Sequence, residues 1–352
     1  MFASRHRGCT CDAIVPAGIH VNSPIVEYAM PSLRIIATLL FVLALPAVAG
    51  NTPRAQVAGV AHAIEDRYFD ADRGRQFADG LRAAADAGSF DAMTDPGTLA
   101  SALTARLKPL DRHFRVQVPR EGDAGPLPGA GNAPGRMSAP ARMRGPGDGD
   151  GIERVDILPG NVGLLALREF ADFKFGRNDQ PPRQAIDAAL QRLSGTAAMV
   201  IDLRGNHGGA PAMVGYLASA FAPRDADIFN VFHGREGTQS EAPLEWHATP
   251  RTRVPLFVLV DAHTGSAAES FAYTLQQARR ATIVGEPSGG AANPGGFIAT
   301  PGGLLVFVPT ATPVNPMSHG NWEGTGVQPD VRATSAAALD AALGLARKAE
   351  RG

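Results

Sequence analysis

The chain has 352 residues, 44% hydrophobic and 19% charged, with a formal net charge of −1. This is globular composition, long enough for one large domain or two smaller ones. The near-neutral balance leaves no electrostatic footprint for nucleic acid or an acidic membrane surface.

Residues 34–50, RIIATLLFVLALPAVAG, have the apolar core of a secretory signal, with Arg34 before it and Ala47-Val48-Ala49 after it. The run is short for a membrane span, so an uncleaved N-terminal anchor is the secondary reading. Met30 opens a complete signal by itself, and residues 1–29 lack apolar periodicity, which makes Met30 the expected true start. Residues 1–49 then read as an upstream extension plus signal peptide, and the protein as exported, to the periplasm or outside the cell. Cleavage after Ala49 would remove Cys9 and Cys11. The mature chain would then hold no disulfide and no thiolate metal site.

Residues 52–118 predict a helical cap subdomain. Val57, Val60, Ala61, Ile64 and Tyr68 fall at helical spacing, followed by Phe77, Leu81 and Ala84, then Leu99, Leu103 and Leu107. LDRHFRVQV (110–118) closes this region with a strand-like end. Residues 119–151 contain nine Gly and six Pro and almost no large apolar side chain, so they read as a linker unable to bury a core. The alternative is an ordered loop closing over a site.

From 152 to 350 the pattern is α/β. IERVDIL (152–158) and NVGLLALREF (161–170) read as strands, and PRQAIDAALQRL (182–193) as an amphipathic helix. AAMVIDL (197–203) is a continuous apolar strand of the kind covered on both faces. Further strands are expected at 228–232, 254–260, 282–285, 296–300 and 304–310, with a terminal helix over 336–349.

Three polar loops follow strands, where ligand sites collect in α/β sheets. RGNHGG (204–209) turns sharply on paired glycines and could aim N–H groups outward; a plain strand-to-helix turn explains it equally well. It has no phosphate-loop ending. GEPSGGAANPGG (285–296) is a glycine-rich turn and a weak signal alone. NWEGTGVQPD (321–330) places Glu323 among small residues beside Trp322; a lone loop glutamate is usually solvated.

HTGSAAESFAYTLQ (263–276) follows VPLFVLVD, turns on Gly265 and opens a helix. Ser266 at that joint suits a nucleophile, because helix N–H groups favour a developing anion and the Ala267 amide can bind an oxyanion. The competing reading is a capping box, Ser266 with Glu269, that only satisfies helix amides. A serine nucleophile needs a base, and His113, His207, His263 and His319 lie in or near the polar loops. No histidine spacing suggests a metal site.

DLRGNHGG, TGSAAES, VGEPSGG and NWEGTGVQPDV, in that order, resemble the C-terminal processing peptidases and tricorn-core serine peptidases. The nearest branch includes the repeats of interphotoreceptor retinoid-binding protein. The resemblance implies a crotonase-like (ClpP-like) α/β core with an N-terminal helical cap. The processing-peptidase lysine would fall at Ala291, and the 285–296 turn has no lysine, so a Ser-Lys dyad is absent. The tricorn-like arrangement maps the nucleophile to Ser266, the base to His113 and the glutamate to Glu323, with Gly208 or Gly209 and Ala267 as oxyanion donors. Arg112 stands where tricorn has a serine beside its base. The linker is too short for a PDZ module.

The expectation is an exported serine-type peptidase acting on peptide or protein substrates, without metal or cofactor. The rival is a non-catalytic binder of apolar ligands such as retinoids or fatty acids on the same fold. Oligomeric state is left open by the sequence.

Overall fold

The computed structural model describes residues 52–120 and 149–349. The signal-like segment and most of the Gly/Pro segment therefore lie outside the described residues.

Three helices open the described chain: α1 (Pro53–Arg67), α2 (Ala71–Asp86) and α3 (Pro96–Leu107). Each begins at a polar cap: Thr52, Asp70 and Asp95 accept hydrogen bonds from amides of the first turn. Pro53 and Pro96 sit at the first helical position, where the missing N–H costs nothing. The apolar stripe read from the sequence is the buried one: Val57, Val60, Ile64, Leu81, Leu99, Leu103 and Leu107 are almost fully buried.

The strand β1 (Arg115–Gln117) follows, then β2 (Ile152–Leu158), β3 (Val162–Leu167), α4 (Pro181–Arg192), β4 (Ala198–Asp202) and α5 (Pro211–Ser219). Next come β5 (Val231–Gly234), β6 (Gly237–Ser240), β7 (Leu256–Val260), α6 (Ala267–Gln277) and β8 (Thr282–Gly285). The chain continues through β9 (Gly295–Ala299), β10 (Leu305–Pro309), β11 (Ala311–Val314), β12 (Val331–Arg332) and α7 (Ala338–Ala349).

The central sheet has six strands in the order β12-β8-β7-β4-β3-β2. All neighbours are parallel except β3 and β2, so the sheet is mixed. β7 is apolar throughout, and β4 in all but its terminal Asp202, because both faces are covered. Met199, Ile201, Val258 and Val260 face a core that includes Ile186, Leu217, Phe271 and Leu275 of α4, α5 and α6. Val200, Phe257 and Leu259 face Ala338, Ala342 and Ala346 of α7.

Residues 296–300 and 304–310, read in sequence simply as strands of the α/β region, belong to a separate sheet, β1-β10-β9. Arg115 pairs with Phe307 and Gln117 with Leu305. Leu304, Val306 and Val308 pack into one core with Val57, Ile64, Leu103 and Phe114. This core is thus built from two segments far apart in sequence. A second small sheet, β11-β5-β6, is also present; the strand expected at 228–232 overlaps β5 only at its end. Among the described residues no helix is long and apolar enough to cross a membrane.

Candidate active site

Ser266 lies where β7 hands over to α6. The loop between them is stitched to the loop after β4. Asp261 accepts from the amides of Gly205, His263 and Thr264 and from the Ser335 hydroxyl. Thr264 donates its hydroxyl to the Leu203 carbonyl at 2.8 Å, and the Gly265 amide donates to the Asn206 carbonyl at 2.9 Å. Burial raises the Asp261 carboxyl pKa, but these donors outweigh it and hold it below the usual carboxylate value.

The outcome is a sharp turn at Ser266, with φ 53° and ψ −120°. A non-glycine residue held there stores strain of about 1–3 kcal/mol, the conformation of a strand-to-helix turn that presents a nucleophile. Ser266 is exposed, whereas Ala267, Ala268, Phe271, Ala272 and Leu275 anchor α6 in the core.

Gly208 packs against this turn. Its φ is 108°, and a methyl group built on it would lie 2.8 Å from both the Ala267 nitrogen and the Ser266 Cβ. Only glycine leaves that space open. The Gly208 amide itself donates to Asn206 Oδ1 at 2.8 Å, while Asn206 is fully buried and donates to the Leu167 carbonyl. Of the two glycines expected as oxyanion donors, Gly208 is therefore engaged elsewhere. The Phe170 amide donates to the Gly208 carbonyl and the Ala210 amide to the Phe170 carbonyl, and among the described residues the Gly209 N–H has no acceptor. Among those residues the Ala267 N–H likewise has none.

Glu269, fully buried, organises the other side. Its carboxylate accepts from the Ser266 amide (2.8 Å), the Ser288 hydroxyl (2.6 Å), the Gly290 amide (2.6 Å) and the Ala291 amide (2.9 Å). The helix-capping role foreseen for Glu269 is one part of what it does, because the same carboxylate clamps the 288–291 loop to the Ser266 turn. Ala291 thus sits across one carboxylate from Ser266.

The next two amides of that loop, Ala292 and Asn293, donate to Glu323 Oε2 at 2.9 and 3.2 Å. Trp322 is buried beside Glu323 and packs on Tyr273, with ring centroids 5.2 Å apart. Glu323 Oε1 lies 3.6 Å from His113 Nδ1. The same nitrogen is 2.9 Å from Asp111 Oδ1, which also accepts the His113 amide. Tyr68 donates its hydroxyl to Asp111 Oδ2 at 2.9 Å. Burial pushes the Asp111 carboxyl up, but the His113 ring and amide and the Tyr68 hydroxyl outweigh it, so it lies below the ordinary value. Burial and the Asp111 charge raise the Tyr68 phenol.

His113 and Glu323 are therefore brought together, and Glu323 is joined to the Ser266 turn through residues 291–293. Among the described residues, the buried His113 Nε2 has no hydrogen-bond partner, so it makes no bond to Ser266 in this state. His207, His263 and His319 are exposed. Arg112, beside the histidine, donates to the carbonyls of Gly289 (3.0 Å) and Gly290 (3.3 Å), tying the histidine segment to the same loop.

The family model described as peptidase family S41 matches residues 161–333. Residues 161–333 are a peptidase family S41 domain. A carboxyl-terminal-processing protease of Synechocystis is 30% identical over 178 residues, 50% of this chain and 39% of that protein. The chain thus spans about two fifths of that curated relative's length. Two solved structures share the fold at low identity. One is a lipoprotein from Streptococcus agalactiae, at TM-score 0.53 and 13% identity, covering 84% of this chain and 96% of that one. The other is the photosystem II D1 C-terminal processing protease, at TM-score 0.50 and 18% identity, covering 80% and 93%. The S41 domain contains Ser266 and Glu323, while His113 reaches it from the N-terminal segment.

Asp111 and Asn206 were not singled out by sequence reasoning, and Tyr68 was read only as part of the apolar stripe of the first helix. Asp111 left one trace: an Asp two residues before another residue is the spacing of a side-chain-to-backbone turn.

Proposed function

We propose that the protein is a serine peptidase of tricorn-like chemistry on a crotonase-like core, cleaving peptide bonds in peptide or protein substrates. The observation that carries this reading is Ser266, exposed in a strained turn at a helix N-terminus, with a glycine-lined gap against the Ala267 amide. Ser266 Oγ attacks the carbonyl carbon and gives its proton to His113 Nε2. The same nitrogen then protonates the leaving amine, and water repeats the sequence to release the acyl group. The Gly209 and Ala267 amides receive the oxyanion. Glu323 adds negative charge beside the imidazolium. Nε2 has no competing partner among the described residues, and catalytic hydrogen bonds commonly tighten only when substrate is bound.

The signal-like stretch at 34–50 supports export, to the periplasm or beyond.

Intact-mass spectrometry after exposure to a fluorophosphonate tests the core of this reading. A single adduct on the wild type that is missing from Ser266→Ala is the expected result. An unmodified wild type, or an equally modified Ser266→Ala, overturns it.

A further inference from the structure

His113 stands between two carboxylates, and the geometry separates their roles. Asp111 Oδ1 is 2.9 Å from Nδ1, a hydrogen-bond distance. Glu323 Oε1 is 3.6 Å away, which is ion-pair range but not a hydrogen bond. The other Glu323 oxygen is occupied by the Ala292 and Asn293 amides.

We propose that Asp111 is the positioning carboxylate of His113, and that Glu323 acts chiefly by holding the 291–293 turn. This rests on the reading of His113 as the base. Asp111 has what the role requires. Its side chain is 7% exposed, and its second oxygen is fixed by the Tyr68 hydroxyl. Tyr68 is itself locked, fully buried, with its ring 5.6 Å from that of Phe114 and 5.3 Å from that of Phe77. The carboxylate accepts the His113 amide as well as the ring, so its orientation is set by the backbone of the residue it serves. An ionised Asp111 accepts the Nδ1–H, which fixes the tautomer in which Nε2 carries the lone pair. That is the nitrogen found buried and unpartnered. When Nε2 takes the Ser266 proton, Asp111 keeps its charge and stabilises the imidazolium; no proton moves to it.

The family's glutamate thus has a local substitute supplied by the cap. Residue 112 is an arginine whose guanidinium points instead to the Gly289 and Gly290 carbonyls. The orienting contact comes from one residue earlier.

Two readouts test this on the full chain. The first is NMR of protein labelled with ¹⁵N-histidine, with the His113 signals assigned through His113→Gln. A hydrogen-bonded Nδ1–H proton should appear downfield of the amides, persist in Glu323→Gln and vanish in Asp111→Asn. The second is the rate of fluorophosphonate labelling. Asp111→Asn should slow it by more than about 100-fold and Glu323→Gln by less than about 10-fold, because a wrong tautomer removes the base outright. Tyr68→Phe keeps the ring packing and Asp111 itself, and should slow labelling by about 10-fold, as expected for a base left less firmly oriented. It serves if Asp111→Asn does not fold.

An Nδ1–H signal lost in Glu323→Gln and kept in Asp111→Asn overturns the assignment, as does an Asp111→Asn protein labelled as fast as wild type. If wild type takes no label but its Nδ1–H signal depends on Asp111, the peptidase reading fails and the Asp111–His113 assignment stands.

Discussion

A methyl group at Gly208 would sit 2.8 Å from the amide nitrogen of Ala267, residues brought together from two different strand-to-helix loops. Gly208→Ala should therefore close the space in front of the Ala267 N–H and push on Ser266. With φ at 108° it also strains the backbone by about 1–3 kcal/mol. Fluorophosphonate labelling should fall by about 100-fold or more, as when an oxyanion donor is lost, while the variant still melts cooperatively. Unchanged labelling would show that this space is not part of the site.

Glu269→Gln should weaken the whole fold. The fully buried carboxylate accepts four hydrogen bonds, three from amides and one from Ser288. An amide has only one accepting oxygen, and its NH₂ would face donors. Breaking such a network should cost about 3–5 kcal/mol, seen as a lower denaturant midpoint at pH 7. Labelling at Ser266 should fall with it, since the same carboxylate holds the Ser266 amide.

Behind α6, Glu241 accepts from Ser270 and Asn230, with Thr274 and Asn315 completing a buried polar cluster. Burial pushes its pKa up to about 7 from 4.5. Between those values the folded state holds a proton that the unfolded state has released, so stability falls as pH rises through this window. Above pH 7 the loss is complete, on the order of 3 kcal/mol. Glu241→Gln should then raise the melting temperature at pH 8 and change it little at pH 4.5. Thermal melts at both values would decide this, and an equal shift at each would argue against a buried titrating carboxyl.

Arg112→Ala should separate activity from stability. Its guanidinium reaches across to the Gly289 and Gly290 carbonyls but is largely exposed. The stability loss should stay near about 1 kcal/mol. Because the contact sets how the histidine loop meets the 288–293 loop, labelling should slow by about 10-fold. A large fall in melting temperature with normal labelling would reverse that assignment.

The central sheet was legible because β4 and β7 are apolar on both faces, and a run such as AMVID or LFVLV leaves little else to read. The turn carrying Ser266 was legible because it lies between such a strand and an amphipathic helix. β6 was not, since GTQS is exposed throughout and carries no apolar signal. The β1-β10-β9 sheet was also hidden: β1 has three residues and finds its partner in Leu305–Phe307. No local pattern reports a pairing at that separation. Asp111, and the hold of Glu269 on the 288–291 loop beyond its helix cap, were hidden for another reason. A carboxylate looks the same in sequence whether water or four protein donors surround it, and only its burial among those donors makes it structural.

The pairing of β1 with β10 has a consequence for biosynthesis. The histidine is made early, but the strand that completes its sheet lies beyond the serine, and Glu323 comes later still. A ribosome-bound nascent chain can form the three helices at once, yet β1 has no strand to pair with until Leu305–Pro309 has been made. The order of the residues along the chain keeps His113 apart from both its sheet partner and Glu323 until those later segments have been synthesised.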